Sequence, residues 1–224
     1  MHQRNKKIIF LIGRDNWQKD DALNHVLVRF LKKSKHEIKW EDPAGHLLYA
    51  FRSYEHKLKW LPTFISVLNL RIVQIFYGIF HWNYFVYLFD RRNNCVELRK
   101  RRLKRSIEKL DSKKELIVLA RSAGGRFASS VADDLKIKNI ICLSYPFKHP
   151  DSAVEPDRYL HLRNLKTPML IIQGNLDEYG GQEVKDTYIF SPNIELFFVN
   201  TNHDFHITAF DWQNVLLKLE EYIC

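Results

Sequence analysis

Residues 119–126 read LARSAGGR, with Ser122 after the apolar run ELIVLA and before FASSVADDL, which has the look of a helix. A serine hydroxyl becomes a useful nucleophile when a base takes its proton and a third group orients that base. Two later segments supply those residue types. MLIIQGNLDEYGG puts Asp177 three residues past Gly174, and IELFFVNTNHDFHI puts His203 just after a second apolar run. The chemistry such a set performs is attack on an acyl carbonyl, with His203 as base and Asp177 holding its tautomer. Taken singly, Asp177 also reads as a turn or helix-cap carboxylate, and His203 as a surface loop histidine. The order Ser, Asp, His, each after a strand-like run, argues for the set. His206 is the rival base, and Asp204, Glu178 and Asp186 are weaker candidates for the acid.

A nucleophile of this kind sits on a sharp strand-to-helix turn, where strand and helix pass so closely that the positions two before and two after the serine must be small. Here they are Ala120 and Gly124, and Gly125 follows at the start of the helix, where a Cβ would crowd the sheet. An oxyanion needs backbone donors. The Ala123 N–H follows the nucleophile, and Arg14, in the loop after the first strand, is the candidate for the second donor. Tyr145 follows another apolar run and is the candidate for lining a substrate pocket, its alternative being a loop aromatic packed on the core.

The elements that must position these residues are legible as alternating short β-rich runs and helical patterns. Strands are expected at 6–12, 36–40, 116–120, 139–144, 168–174 and 194–200. Helices are expected at 21–34, about 126–135, around 181–189, and through FHITAFDWQNVLLKLEEYI at the end. The later strands are near-continuous Val, Ile and Leu runs, as in parallel strands covered on both faces. The fold class is therefore α/β, a doubly wound, mostly parallel sheet in one domain spanning 1–224. Residues 41–111 break the alternation. They are helix-rich, aromatic and basic, and read as a helical insertion: a lid, a dimer surface, or helices simply packed on the sheet.

Composition bounds the function classes. The chain has 224 residues, 46% hydrophobic and 27% charged, which is globular. Net charge is +9, and 91–105, RRNNCVELRKRRLKR, holds eight Lys/Arg against one Glu. Such a block attracts nucleic acid or anionic lipid, but is more often a solvated helix face. No nucleic-acid motif accompanies it, so no specific nucleic acid is expected. Cys95, Cys142 and Cys224 are scattered, without CxxC, which suits a reducing, cytoplasmic setting and argues against a thiolate metal site. No metal or cofactor is expected. Ile72–Phe89 is 18 residues without a formal charge, but Gln74, His81 and Asn83 interrupt it, so it reads as a buried or interfacial element and not a span.

With ARSAGGR (120–126), LSYPFKHP (143–150), TPMLIIQGNLDEYG (167–180) and NHDFHI (202–207), the chain resembles the α/β-hydrolase superfamily. It is most similar to a group of small hydrolase-like proteins that includes testis-expressed hydrolase-like proteins and the hydrolase-like domain of an NSL histone acetyltransferase complex subunit. The resemblance covers roughly residues 115 to 224. It implies Ser122 as nucleophile, Asp177 as acid and His203 as base of a serine esterase acting on a small or medium acyl ester. The chain departs from the group where a His-Gly loop usually follows the first strand; here the loop is IGRDNWQKDD. That departure, with the basic and aromatic insertion, keeps two other classes open: a noncatalytic partner-binding protein, and a basic protein that binds nucleic acid or anionic surfaces. The partners expected are a small-molecule acyl substrate and, through 41–111, a second copy of the chain.

Overall fold

The computed structural model describes residues 6–13, 20–34, 36–55, 62–92 and 95–223. Its strands are β1 (Ile8–Ile12), β2 (Glu37–Trp40), β3 (Leu116–Arg121), β4 (Asn139–Leu143), β5 (Met169–Gly174) and β6 (Ile194–Val199). They form one six-stranded sheet in the order β2-β1-β3-β4-β5-β6, and every pairing is parallel. This is the α/β architecture expected from the apolar runs. β1, β3, β4 and β5 are buried along their whole length, while β6 is half-buried at an edge. The helices are α1 (Asp21–Lys33), α2 (Gly45–Glu55), α3 (Thr63–Phe80), α4 (Asn83–Arg92), α5 (Val96–Glu108), α6 (Ala123–Val131), α7 (Val184–Thr187) and α8 (Ala209–Ile223); both faces of the sheet need covering, and α1, α5, α6, α7 and α8 supply most of the cover.

Successive side chains of a strand point to opposite faces. Phe10, Val118, Ala120, Ile140 and Cys142 therefore share one core with Leu103 and Ile107 of α5 and Phe127 of α6. Ile9, Leu11, Leu119, Ile141 and Ile172 share the other with Leu27 and Leu31 of α1 and Val215 and Leu219 of α8. The chain runs from β1 outward to β2 and then returns to place β3 on the other side of β1. The sheet thus has its switch point between the carboxyl ends of β1 and β3, where open α/β sheets form crevices.

The stretch between β2 and β3 is helical, with a small core of its own in which Leu48, Leu70, Tyr84 and Tyr87 meet. α2 is tied to α3 through buried Glu55, whose carboxylate takes the Arg52 guanidinium at 3.0 Å, the Ser66 hydroxyl at 2.8 Å and the Asn69 amide at 3.1 Å. The uncharged run at 72–89 is not one element: it breaks at His81–Trp82 into α3 and α4. Among the described residues no helix is long and apolar enough to cross a membrane. Arg91 and Arg92 of the basic run end α4, and the rest of its charges lie on α5, where Arg101 and Arg105 are exposed and several others are used internally. Arg102 pairs with Asp90, Lys104 with Asp134, and Arg99 lies 4.3 Å over the Phe127 ring.

His161 stands in a short 3₁₀ turn, Leu160–Asn164, with its Nε2 2.8 Å from the Ser129 hydroxyl of α6. Burial, helped by the positive charges of Lys100 and Arg126, pulls its pKa down to about 4. The unfolded chain takes up this proton near pH 6.5, the folded chain only near 4. The neutral imidazole therefore contributes stability above pH 6.5 that is lost as pH falls through that window, up to about 3 kcal/mol. Urea midpoints measured from pH 7 to pH 4 should fall less steeply in His161→Gln than in the wild type; parallel curves would remove His161 from the account.

Candidate active site

Ser122 joins β3 to α6 with no intervening loop. Its backbone is at φ 50°, ψ −122°, a left-handed conformation that costs a non-glycine residue about 1–3 kcal/mol and persists only where the surroundings enforce it. They do so through the Ser122 N–H, which donates to the Leu143 carbonyl at 3.0 Å, and the Ser122 carbonyl, which accepts the Gly125 N–H at 2.8 Å. The helix starts at Ala123, earlier than the expected Arg126, because Gly124 and Gly125 form its first turn. Glycine is a poor helix former, which is why the sequence reads as a loop there. Close packing explains both residues. A Cβ on Gly124 would lie 2.7 Å from the Ile12 carbonyl oxygen, and one on Gly125 would lie 2.1 Å from the Cys142 sulfur.

Gly125→Ala should therefore destabilise the protein by about 1–3 kcal/mol through overpacking. Cys142→Ala in the same background should recover part of that loss, as read from denaturant midpoints. An additive double variant would mean the clash is relieved some other way. Cys142 itself is fully buried, and desolvation pushes its thiol up to about 12, so it stays protonated beneath the elbow.

The three sequence-selected residues come together. Ser122 Oγ is 2.9 Å from His203 Nε2, and His203 Nδ1 is 2.9 Å from each carboxylate oxygen of Asp177. All three are buried. Asp177 lies in the turn after β5, and His203 in the loop between β6 and α8. The rivals stand elsewhere. His206 is exposed, with its carbonyl accepting the Thr201 hydroxyl at 3.2 Å, and Glu178 and Asp186 are exposed. The last helix begins at Ala209, later than expected, and Phe205 at φ 61° belongs to the turn that carries His203.

Three supporting residues escaped sequence reasoning. Gln173 is fully buried at the end of β5. Its amide donates to the Asp177 carboxylate at 3.0 Å and to the Gly180 carbonyl at 2.6 Å, while its oxygen accepts the Tyr145 N–H at 2.8 Å. Tyr179 gives its N–H to Asp177 at 2.8 Å and lays its ring 4.2 Å from the His203 ring. Arg121, one residue before the serine, donates to the Leu143 carbonyl at 3.1 Å and to the His203 carbonyl, with Asp20 3.4 Å from its Nε. For Gln173 and Arg121 the only sequence signal was polarity in otherwise apolar runs, MLIIQG and LIVLAR, which demands buried partners without naming them.

Tyr145 corrects an expectation. It is fully buried, with no surface open among the described residues, and its hydroxyl donates to the Arg158 carbonyl at 2.6 Å. Ala123 opens α6, so its N–H is among those without an acceptor inside the helix. Arg14 lies outside the described residues. Among the described residues no group of three His, Cys, Asp or Glu is placed to hold a metal ion. A small, mainly apolar cleft of about 30 Å³ lies at the switch point, lined by Leu11, Leu23, Leu27, Trp40, Asp20 and Arg121, and not by Ser122 or His203.

Comparison with known proteins places this geometry. Residues 80–215 match a family model described as an alpha/beta hydrolase domain. A search of curated proteins matched none. Among solved structures, the chain is similar to a metagenome-derived lipolytic enzyme from the work on LipS and LipT, with a TM-score of 0.57, 11% identity and coverage of 98% of this chain and 94% of that one. It is also similar to a putative hydrolase of the alpha/beta superfamily from Xanthomonas campestris pv. campestris (TM-score 0.55, 13% identity, coverage 97% and 99%). Mouse alpha/beta hydrolase domain-containing protein 10 gives a TM-score of 0.54 at 11% identity, with coverage of 98% and 91%. At such identities these likenesses speak for the fold. The family match spans more than half of the chain and runs through the elbow, the acid turn and the base loop, and the chain therefore belongs to the alpha/beta hydrolase domain family.

Proposed function

We propose that the protein is a serine hydrolase that cleaves a small or medium acyl ester. The observation that supports this most is the continuous hydrogen-bonded line from Ser122 Oγ through His203 to Asp177, each link at 2.9 Å. In this reading His203 Nε2 takes the Ser122 proton as Oγ adds to the ester carbonyl. Asp177 keeps the other ring proton on Nδ1 and offsets the imidazolium charge. The oxyanion meets the Ala123 N–H, with Arg14 as the proposed second donor. The tetrahedral intermediate collapses, the alcohol leaves with the proton from His203, and water repeats the sequence on the acyl-enzyme. The metagenome-derived structural relative from the work on LipS and LipT is a lipolytic enzyme, which agrees with ester chemistry. The finer kinship with the small hydrolase-like group, and the reading of 1–224 as one domain with an insertion at 41–111, are part of the same proposal.

The test is labelling of the folded protein by a fluorophosphonate, with the modified peptide mapped by mass spectrometry, followed by a panel of p-nitrophenyl esters of rising chain length. Adduct on Ser122 and turnover of short or medium esters is the expected result. A folded protein that takes no label at Ser122 sinks the proposal.

Arg121 acts here as a positioning residue. Its planar guanidinium holds the carbonyls of Leu143 and His203 together, so it sets the distance between the serine and its base. Arg121→Lys keeps the charge facing Asp20 but loses the fork. The rate of fluorophosphonate labelling should fall about 10²-fold, the cost of a misplacement on the order of 1 Å, and the unfolding midpoint should fall too, by about 1–3 kcal/mol of stability for the buried carbonyl left without its donor. A labelling rate within twofold of wild type would show that the fork does not set the alignment.

A further inference from the structure

The helical pair α3–α4 turns a large apolar surface outward. One side of α3 is used: Leu70, Gln74 and Gly78 are buried against the rest of the insertion. The opposite side, spaced at helical intervals, is not. Phe64 is 71% exposed, Phe76 61%, Ile79 61% and Phe80 79%. The stripe continues around the turn into α4, where Trp82 is 73% and Phe89 65% exposed. Between these helices' ends Arg71 is the one formal charge in Thr63–Phe80. Single exposed apolar residues are ordinary, but a contiguous face of this kind marks a binding surface. No described residue covers it.

We infer that this face docks the protein on an anionic lipid surface. The charge of the surrounding segment selects that occupant. Residues 41–111 hold 13 Lys/Arg against 7 Asp/Glu, which accounts for most of the chain's net charge of +9. α5 runs beside α4, since Arg102 reaches the Tyr87 carbonyl at 3.3 Å, and it presents Arg101 and Arg105 to solvent. An apolar, aromatic stripe flanked by basic residues is the pattern of a helix that lies in the headgroup boundary. A two-fold contact with a second copy is disfavoured by the same charges, because it would bring two such positive segments together. The helices lie on the surface and do not enter it fully, since none has the length and apolarity to span.

The attachment of the pair gives the docking a direction. The Tyr77 hydroxyl donates to the Pro43 carbonyl at 3.1 Å, and the Tyr87 hydroxyl donates to the Glu41 carboxylate at 2.8 Å. Both anchors follow the carboxyl end of β2, and Glu41 also lines the switch-point cleft. A protein resting on α3–α4 therefore holds the cleft at the edge of the lipid layer. The inference does not depend on Ser122 being a nucleophile.

The experiment is flotation of the full chain with vesicles of phosphatidylcholine, with and without phosphatidylglycerol, beside light scattering of the protein alone. Wild type should float with the phosphatidylglycerol vesicles, lose binding as salt is raised, and stay unbound with phosphatidylcholine alone. Phe80→Glu/Trp82→Glu and Arg101→Glu/Arg105→Glu should each weaken binding at least about tenfold, with circular dichroism unchanged, since all four positions are exposed. Equal binding to both vesicles, binding to neither, or a dimer in solution that Phe80→Glu/Trp82→Glu breaks apart would overturn the inference.

Discussion

Ser122→Ala should lower kcat/KM for any ester the protein turns over by at least about 10⁴-fold, to a level set by binding and the oxyanion donors alone. The loss should fall on kcat, because the hydroxyl bonds to substrate only as the reaction proceeds. Stability supplies a second readout. The residue sits at φ 50° whichever small side chain it carries, so Ala inherits the strain of Ser. Ser122→Gly should be equally inactive, yet more stable than Ser122→Ala by up to about 1 kcal/mol, since glycine accepts that conformation freely. Activity that survives in Ser122→Ala would place the chemistry elsewhere. Equal stability of the Ala and Gly variants would mean that the elbow stores no strain.

The second large effect belongs to Asp177→Asn. The Asp177 carboxylate accepts from three donors: His203 Nδ1–H, the Gln173 amide and the Tyr179 N–H. An ionised carboxylate has room for all of them. Asparagine offers one oxygen and turns an NH₂ toward donors, so either the histidine flips to the wrong tautomer or a buried donor goes unmatched. A drop of about 10⁴-fold in kcat is the expected result. Unfolding midpoints should also fall, by about 1–3 kcal/mol for the unmatched polar group. A rate within tenfold of wild type would show that His203 is oriented by something other than this carboxylate.

How much of this was legible before the structure depends on what each residue needs. Continuous Val, Ile and Leu in LIVLA, NIICL and MLIIQ require cover on two faces, so the strands and the parallel sheet could be read with edges good to a residue or two. Ser122, Asp177 and His203 could be picked out because the order of residue types after strands is itself a pattern. The start of α6 could not, because Gly124 and Gly125 signal a loop by propensity, whereas their real constraint is contact with Ile12 and Cys142 from strands distant in sequence. Tyr145 was misread for a related reason. It follows a strand at the edge where ligands bind, but a buried acceptor, the Arg158 carbonyl, draws its hydroxyl inward. Arg121 acts through backbone carbonyls, and Gln173 reaches Gly180 and Tyr145 through theirs as well as the Asp177 carboxylate; a backbone carbonyl leaves no mark in a sequence. The break at His81 was legible only in part: His81 and Asn83 interrupt the apolar run, but only the packing of Tyr84 and Tyr87 shows why the helix must turn back.

The parallel order of the sheet carries a consequence for how the molecule comes into being. Ile8 pairs with Leu116, so the central contact joins segments separated by the whole helical insertion. Closing so wide a loop costs entropy that no local contact refunds, which makes assembly of this sheet slow beside that of its helices. The serine, its acid and its base follow β3, β5 and β6 in turn. No fragment of the chain that stops short of the loop after β6 can hold all three. The proposed reactive centre is thus assembled only by completion of the fold, and loss of the proposed esterase activity on denaturation should coincide with collapse of the sheet and not precede it.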